Sequence, residues 1–168
     1  ISIWNVSQGT LLREIAAEKD RELPLTFLRN SSRIFTRNIH TSRYRERDVI
    51  TGQEIRHWQL PTSASSWLQE VSSDSDWVFS LYNEGSAKLH HLPSNQQYRL
   101  AFNLEQISGA AFSPNGRWLA VVSILGFGQL WDTETAQMLA ELGGFLQGTH
   151  SVTFSPDSQR LAIGSNGN

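Results

Sequence analysis

The 168-residue sequence has no cysteine, a single methionine (Met138), and no apolar run close to the roughly 18 residues that a membrane-crossing helix needs. Without cysteine there can be no disulfide framework, thiolate zinc site or cysteine nucleophile, and the composition suits a reducing, cytoplasmic setting. No positively charged start leads into an apolar stretch, so no secretory signal is visible. Helical periodicity of useful length is also missing. The catalytic motifs are equally scarce, with no Gly-x-Ser-x-Gly elbow, phosphate loop or His-Glu-x-x-His. Gly126-Phe127-Gly128 would need a glycine at 131 to complete a dinucleotide fingerprint, and 131 is Trp. Asp74-Ser75-Asp76 starts like a calcium loop but runs into Trp77-Val78. His90 and His91 are adjacent, which on a strand sends them to opposite faces and away from a shared metal. Asn5-Val6-Ser7 and Asn30-Ser31-Ser32 match the glycosylation tripeptide, yet both coincide with turn positions of the repeat described next. The sequence therefore predicts no catalytic residue, no metal and no cofactor.

What is present is a repeat. Phe112-Ser113-Pro114-Asn115-Gly116-Arg117-Trp118-Leu119-Ala120 recurs as Phe154-Ser155-Pro156-Asp157-Ser158-Gln159-Arg160-Leu161-Ala162, 42 residues later. Weaker copies precede it at Val71 and at Phe27, so the anchors of this first marker are Phe27, Val71, Phe112 and Phe154. A second marker, a residue followed by a polar side chain and a turn, runs in step at Trp4, Arg47, His90 and Trp131, with Asp132 after the last. Each unit reads as four short strands joined by turn chemistry: Thr10 to Ile15, Trp118 to Ser123, Gln137 to Leu142 and Arg160 to Gly164 are examples. Four antiparallel strands per period of about 42 residues is the arithmetic of a β-propeller blade. The expected fold is all-β, with about four blades visible and Phe27, Phe112, Phe154, Trp77, Trp118 and Trp131 filling the spaces between them. The expected division is 1–22 (outer strands of one blade), 23–66, 67–107, 108–149, and 150–168 (inner strands). The termini would be able to complete one blade, although the sequence reads more naturally as a segment of a longer propeller.

The Phe-Ser-Pro-Asn/Asp turn, the Leu-Ala strand and Leu130-Trp131-Asp132 resemble the WD-repeat (tryptophan-aspartate repeat) β-propellers. The likeness extends to the carboxy-terminal blade arrays of larger bacterial signalling proteins. The family often carries a histidine before the first strand; His150 fits that slot, while Leu23, Trp67 and Ser108 fill it elsewhere. The resemblance implies a noncatalytic scaffold or sensor whose face loops bind a protein or peptide. On it Trp67, Phe127 and His150 are candidate contact residues, and self-association through open strand edges is a further expectation. An accessory propeller of a hydrolase is the competing class.

Charge adds one anomaly. Residues 1–60 hold 10 Lys and Arg against 7 acids, whereas 61–168 hold 4 against 9. Between 29 and 48, six arginines (29, 33, 37, 43, 45 and 47) are matched only by Glu46 and Asp48. Arg43, Arg45 and Arg47 would share one strand face, and arginine suits bidentate contact with carboxylate or phosphate. Arg37, His40, Arg43 and Arg45 are thus candidates for binding an anionic ligand, an acidic peptide or nucleic acid, against the simpler expectation of a solvated blade surface.

Overall fold

The computed structural model describes residues 1–16, 22–28, 31–38, 40–60, 66–82, 86–102, 106–144 and 147–166, with Ser66 and Trp67 described in backbone only. Two compact units divide the chain. The first, 1–63, carries β1 (Ser2–Asn5), β2 (Thr10–Glu14), β3 (Glu22–Phe27), β4 (Arg33–Asn38), β5 (Arg43–Asp48) and β6 (Glu54–Gln59). In the second, 64–168, are β7 (Ser66–Val71), β8 (Trp77–Tyr82), β9 (Ala87–His91), β10 (Gln96–Leu100), β11 (Ile107–Phe112), β12 (Trp118–Ser123), β13 (Phe127–Asp132), β14 (Gln137–Leu142), β15 (Thr149–Phe154) and β16 (Leu161–Ser165). All pairings are antiparallel: β3–β6, β7–β10 and β11–β14 are four-stranded meanders, and β1–β2 and β15–β16 are two-stranded sheets. The described residues include no helix, and none long and apolar enough to cross a membrane.

Both sequence markers occupy fixed strand positions. Phe27, Val71, Phe112 and Phe154 each end the first strand of a repeat; Trp4, Arg47, His90 and Trp131 each stand next to last in the third. Four residues beyond each anchor the chain turns left-handed, at Ser31, Ser75, Gly116 and Ser158, with φ between 55° and 78°. That residue's N–H bonds back three residues, as in Gly116 to Ser113 (2.8 Å) and Ser158 to Ser155 (2.8 Å). In three turns the serine after the anchor does the rest. Ser113 Oγ donates to Asn115 Oδ1 (2.6 Å) and accepts from Trp118 N (2.8 Å), and Ser72 with Asp74 and Ser155 with Asp157 repeat the pattern. The turns closing the third and fourth strands repeat as well, left-handed at Gly9, Gly52, Asn95 and Ala136.

In unit 2 the core lies between the β7–β10 and β11–β14 sheets, where Trp77, Phe79, Leu81 and Leu89 meet Ile107, Leu119, Val121 and Trp131. Phe102 stacks obliquely on Trp131 at 5.2 Å. Unit 1 has a smaller cluster of Ile3, Ile15 and Ile34, which sets one face of the β1–β2 pair against the β3–β6 sheet. Trp77, Trp131 and Phe112 lie in the unit 2 core as expected, but Phe27 is 51% exposed. Trp118 pairs with Asp132, not with Trp131, so it stands on the opposite sheet face, with the Arg117 guanidinium 4.9 Å from its ring.

Candidate interaction surface

The arginine-rich strand β5 is where the structure departs furthest from expectation. The β4–β5–β6 register puts Arg43, Arg45 and Arg47 on one face together with Thr36, His57 and Glu54. Around Arg45 and Arg47 that face is closed, because Glu22, a residue the charge count did not single out, occupies it, whereas Arg43 and His57 remain partly exposed. Arg45 is 2% exposed and its Nη1 lies 3.1 Å from Glu22 Oε2. Arg47 grips the same carboxylate with Nε (2.8 Å) and Nη2 (3.0 Å), and Thr36 Oγ1 donates to it too. Burial alone would raise the Glu22 pKa, but the hydrogen bonds and charges of Arg47, Thr36 and Arg45 outweigh it and hold the carboxyl below its ordinary value. Glu54 lies 3.0 Å from Arg45 Nε, 3.3 Å from Arg43 Nη2 and 2.7 Å from His57 Nδ1. Arg45 is therefore an interior residue, not a partner contact.

The other face carries a second network. Glu46 is fully buried between Arg33 Nη1 (2.6 Å) and Arg56, whose Nε (2.8 Å) and Nη2 (2.5 Å) both reach it. Arg37 belongs to this face, opposite Arg43 and Arg45, so the candidate arginines do not form one patch. Leu23, Arg37, Tyr44 and Trp58 form a cross-strand row. His40 is exposed in the β4–β5 turn, which Asn38 Oδ1 fixes by accepting from His40 N and Thr41 N (2.9 Å each).

In unit 2 the remaining candidates stand where the second strands turn into the third and where one sheet leads to the next. Phe127 opens β13, just after left-handed Gly126, and is 57% exposed. His150 is exposed on β15. A ladder of backbone hydrogen bonds knits this end together: Ile124 N to Gln106 O (3.1 Å), Gly148 N to Ile124 O (2.6 Å) and Asn166 N to Gly148 O (3.0 Å), with Ser108 Oγ donating to Thr149 O (2.6 Å). His150, Ser108 and Trp67 share a further property, since each is the extra residue of a bulge in its first strand. In β3 the bulge falls instead at Leu25, two residues past the Leu23 expected for that slot, and Pro24, which has no N–H for the ladder, stands beside it. The Trp67 side chain lies outside the described residues.

At the opposite end of unit 2 the serine turns contact one another, Ser73 Oγ donating to Pro114 O (2.7 Å) and Asn115 N to Ser158 Oγ (3.0 Å). Asp74 is consumed within its turn. Burial perturbs two ionisable groups of this unit strongly. His90 is buried and pushed down to about 4 by desolvation and by Lys88, with Tyr82 Oη 3.4 Å from its Nε2. Glu70 is pushed up to about 7 by burial. Among the described residues Trp131 Nε1 is buried without a hydrogen-bond partner, so no hydrogen-bond network of the resembled family's kind is built on this Trp there. No group of three or more metal-ligating side chains occurs among the described residues.

No protein-family model and no curated protein sequence matches the chain. Among solved structures it is similar to the β-propeller domain of Cps50 (Swd1) from Myceliophteria thermophila, with a TM-score of 0.70 and 11% identity, over 98% of this chain and 55% of that one. The chain thus has the β-propeller fold and spans about half the length of that structure.

Proposed function

We propose that this chain is a noncatalytic protein-interaction region of the WD-repeat type. Its partner is a protein or peptide, held by the loops that join second to third strands and one sheet to the next. In this reading 23–66, 67–107 and 108–149 are successive blades, 1–22 and 150–168 supply outer and inner strand pairs, and the setting is cytoplasmic. The observation that carries the reading is the loop end of unit 2. There, backbone hydrogen bonds link successive repeats into a rigid rim while Phe127 is left largely exposed. A large aromatic side chain on a preorganised rim is the usual composition of a binding anchor, and sites on propellers reside in loops, not strands. Because fold does not fix function, the assignment rests on that rim and on the turn motifs.

Replacing Phe127 by Asp tests it. The parent chain should capture a stoichiometric partner from an extract of its source, and Phe127→Asp should lose it while melting at an unchanged temperature. Equal capture by both chains would remove the rim from consideration. The hydrolase alternative is checked with broad esterase, peptidase and phosphatase substrates; robust turnover abolished by a single substitution would replace the scaffold reading.

A further inference from the structure

The β3–β6 sheet sets all but one of its arginines against a carboxylate, five of them sharing Glu22, Glu46 and Glu54. Arg33, Arg43, Arg45, Arg47 and Arg56 each lie within 3.3 Å of a carboxylate. Arg37 has no carboxylate partner among the described residues, and its Nε is buried without any hydrogen-bond acceptor. Both carboxylates on its face of β5 are already engaged: Glu46 by Arg33 and Arg56, Asp48 by the N–H groups of Ile50 (3.0 Å) and Thr51 (2.6 Å). The row through Arg37 supplies only Leu23, Tyr44 and Trp58, and Tyr44 is fully buried. A half-buried guanidinium with no carboxylate beside it keeps Nη donors for a bidentate anion, and charge-assisted contacts of that kind are the stronger hydrogen bonds.

We infer that Arg37 is a receptor for a carboxylate side chain of an acidic peptide segment. The peptide is favoured over nucleic acid by charge count. Binding a phosphate backbone draws on several unneutralised cations at once. Here every other guanidinium of the sheet already has a carboxylate beside it, and Arg37 alone among its described residues has none, a match for one carboxylate and not for a row of phosphates. The inference rests on the interaction-module reading but uses a site of its own in unit 1, so the two can fail separately.

The test follows the arginine Nε–Hε resonances of the full chain by NMR during titration with acetyl-triglutamate amide, acetyl-triglutamine amide and hexathymidylate. The Arg37 resonance should move saturably with triglutamate and stay still with triglutamine. Arg37→Gln should weaken triglutamate binding by about fivefold or more, as expected for losing one charged contact. Arg43→Gln, whose guanidinium is already paired, should leave it unchanged. An Arg37 resonance that ignores triglutamate overturns the inference whether or not Arg37→Gln folds. So does equal weakening by Arg43→Gln, or movement at lower concentrations of hexathymidylate. If Arg37 responds as stated but Phe127→Asp leaves partner capture intact, the rim reading fails and the carboxylate site stands.

Discussion

Glu70 gives the sharpest pH prediction. It stands on β7 opposite Phe79, on the face that packs into the unit 2 core beside Leu68 and Leu81, and no described residue gives it a hydrogen bond or counter-charge. Burial lifts its carboxyl from an ordinary 4.5 to about 7. The folded chain therefore holds this proton more tightly than the unfolded chain does. The stabilisation is fully present below pH 4.5, is lost progressively as pH rises towards 7, and is gone above that. A gap of about 2.5 pH units at 1.36 kcal/mol each would amount to roughly 3 kcal/mol, and because the carboxyl keeps some solvent contact we expect about 2 kcal/mol. Glu70→Gln keeps the shape and removes the charge. At pH 8 it should be more stable than the parent by that amount, shifting the urea midpoint up by about 1 M for a typical slope. At pH 4.5 the two midpoints should converge. His90 titrates in the opposite sense, its depressed pKa giving stability that is present above 6.5 and lost as pH falls towards 4, but it does so equally in both proteins and cancels in the difference. A parent–variant difference that is the same at pH 4.5 and pH 8, or a variant less stable at pH 8, would refute the assignment of an unpartnered carboxyl.

Glu22→Gln should destabilise unit 1 by about 3 kcal/mol, because Arg47 is left buried without a carboxylate and Arg45 keeps only Glu54; urea unfolding at pH 7 measures it, and a loss under about 1 kcal/mol would mean the pair is solvated. Since Glu22 is depressed, its contribution is present above 4.5 and fades as pH falls through its lowered value. Gly116→Ala should cost more than Gly9→Ala in thermal melts. Both have φ near +70°, worth about 1 kcal/mol, but a Cβ at 116 also collides with the Asp74 carboxylate whereas none touches anything at 9. Trp131→Phe should lose no more than about 1–2 kcal/mol, against about 3–5 for Trp131→Ala, because the ring fills the core while the indole N–H has no partner to lose; similar losses for the two would show that the N–H is bonded.

The strands were legible because turn chemistry and alternation both report locally. Trp118 to Ser123 and Gln137 to Leu142 coincide with β12 and β14, the Thr10 strand ends one residue early, and the Arg160 strand is displaced by one residue at both ends. The role of the arginines was not legible. Their shared face followed from strand alternation, but Glu22 lies 23 positions from Arg45 and reaches it only through the β3–β4–β5 pairing, so a count of nearby acids between 29 and 48 missed the counter-charge that matters. Leu25 escaped for a related reason. Counting back from Phe27 assumes every first strand bulges at the same place, and Pro24 moves it. Exposure was hidden too, since Phe27 and Phe112 share a repeat slot yet only Phe112 finds the unit 2 core.

What repeats in this chain is backbone, and the side chains follow by local compensation. The slot held by Trp4, Arg47, His90 and Trp131 is the same point on the same strand, yet it accepts an indole, a guanidinium and an imidazole. By contrast, the left-handed positions recur even where serine or alanine must take a strained φ, at Ser31, Ser75, Ser158 and Ala136. A guanidinium in a buried slot is tolerable only if a carboxylate is delivered to it, and Glu22 at the start of β3 is placed to do so. Arg45 and Arg47 are turned inward onto Glu22, and Arg33 and Arg56 are held against Glu46, so much of the basic segment is engaged in internal ion pairs and not presented bare to a partner. Among the described residues of this sheet Arg37 is the guanidinium left without a carboxylate beside it, and that is why the acidic-peptide site is inferred there.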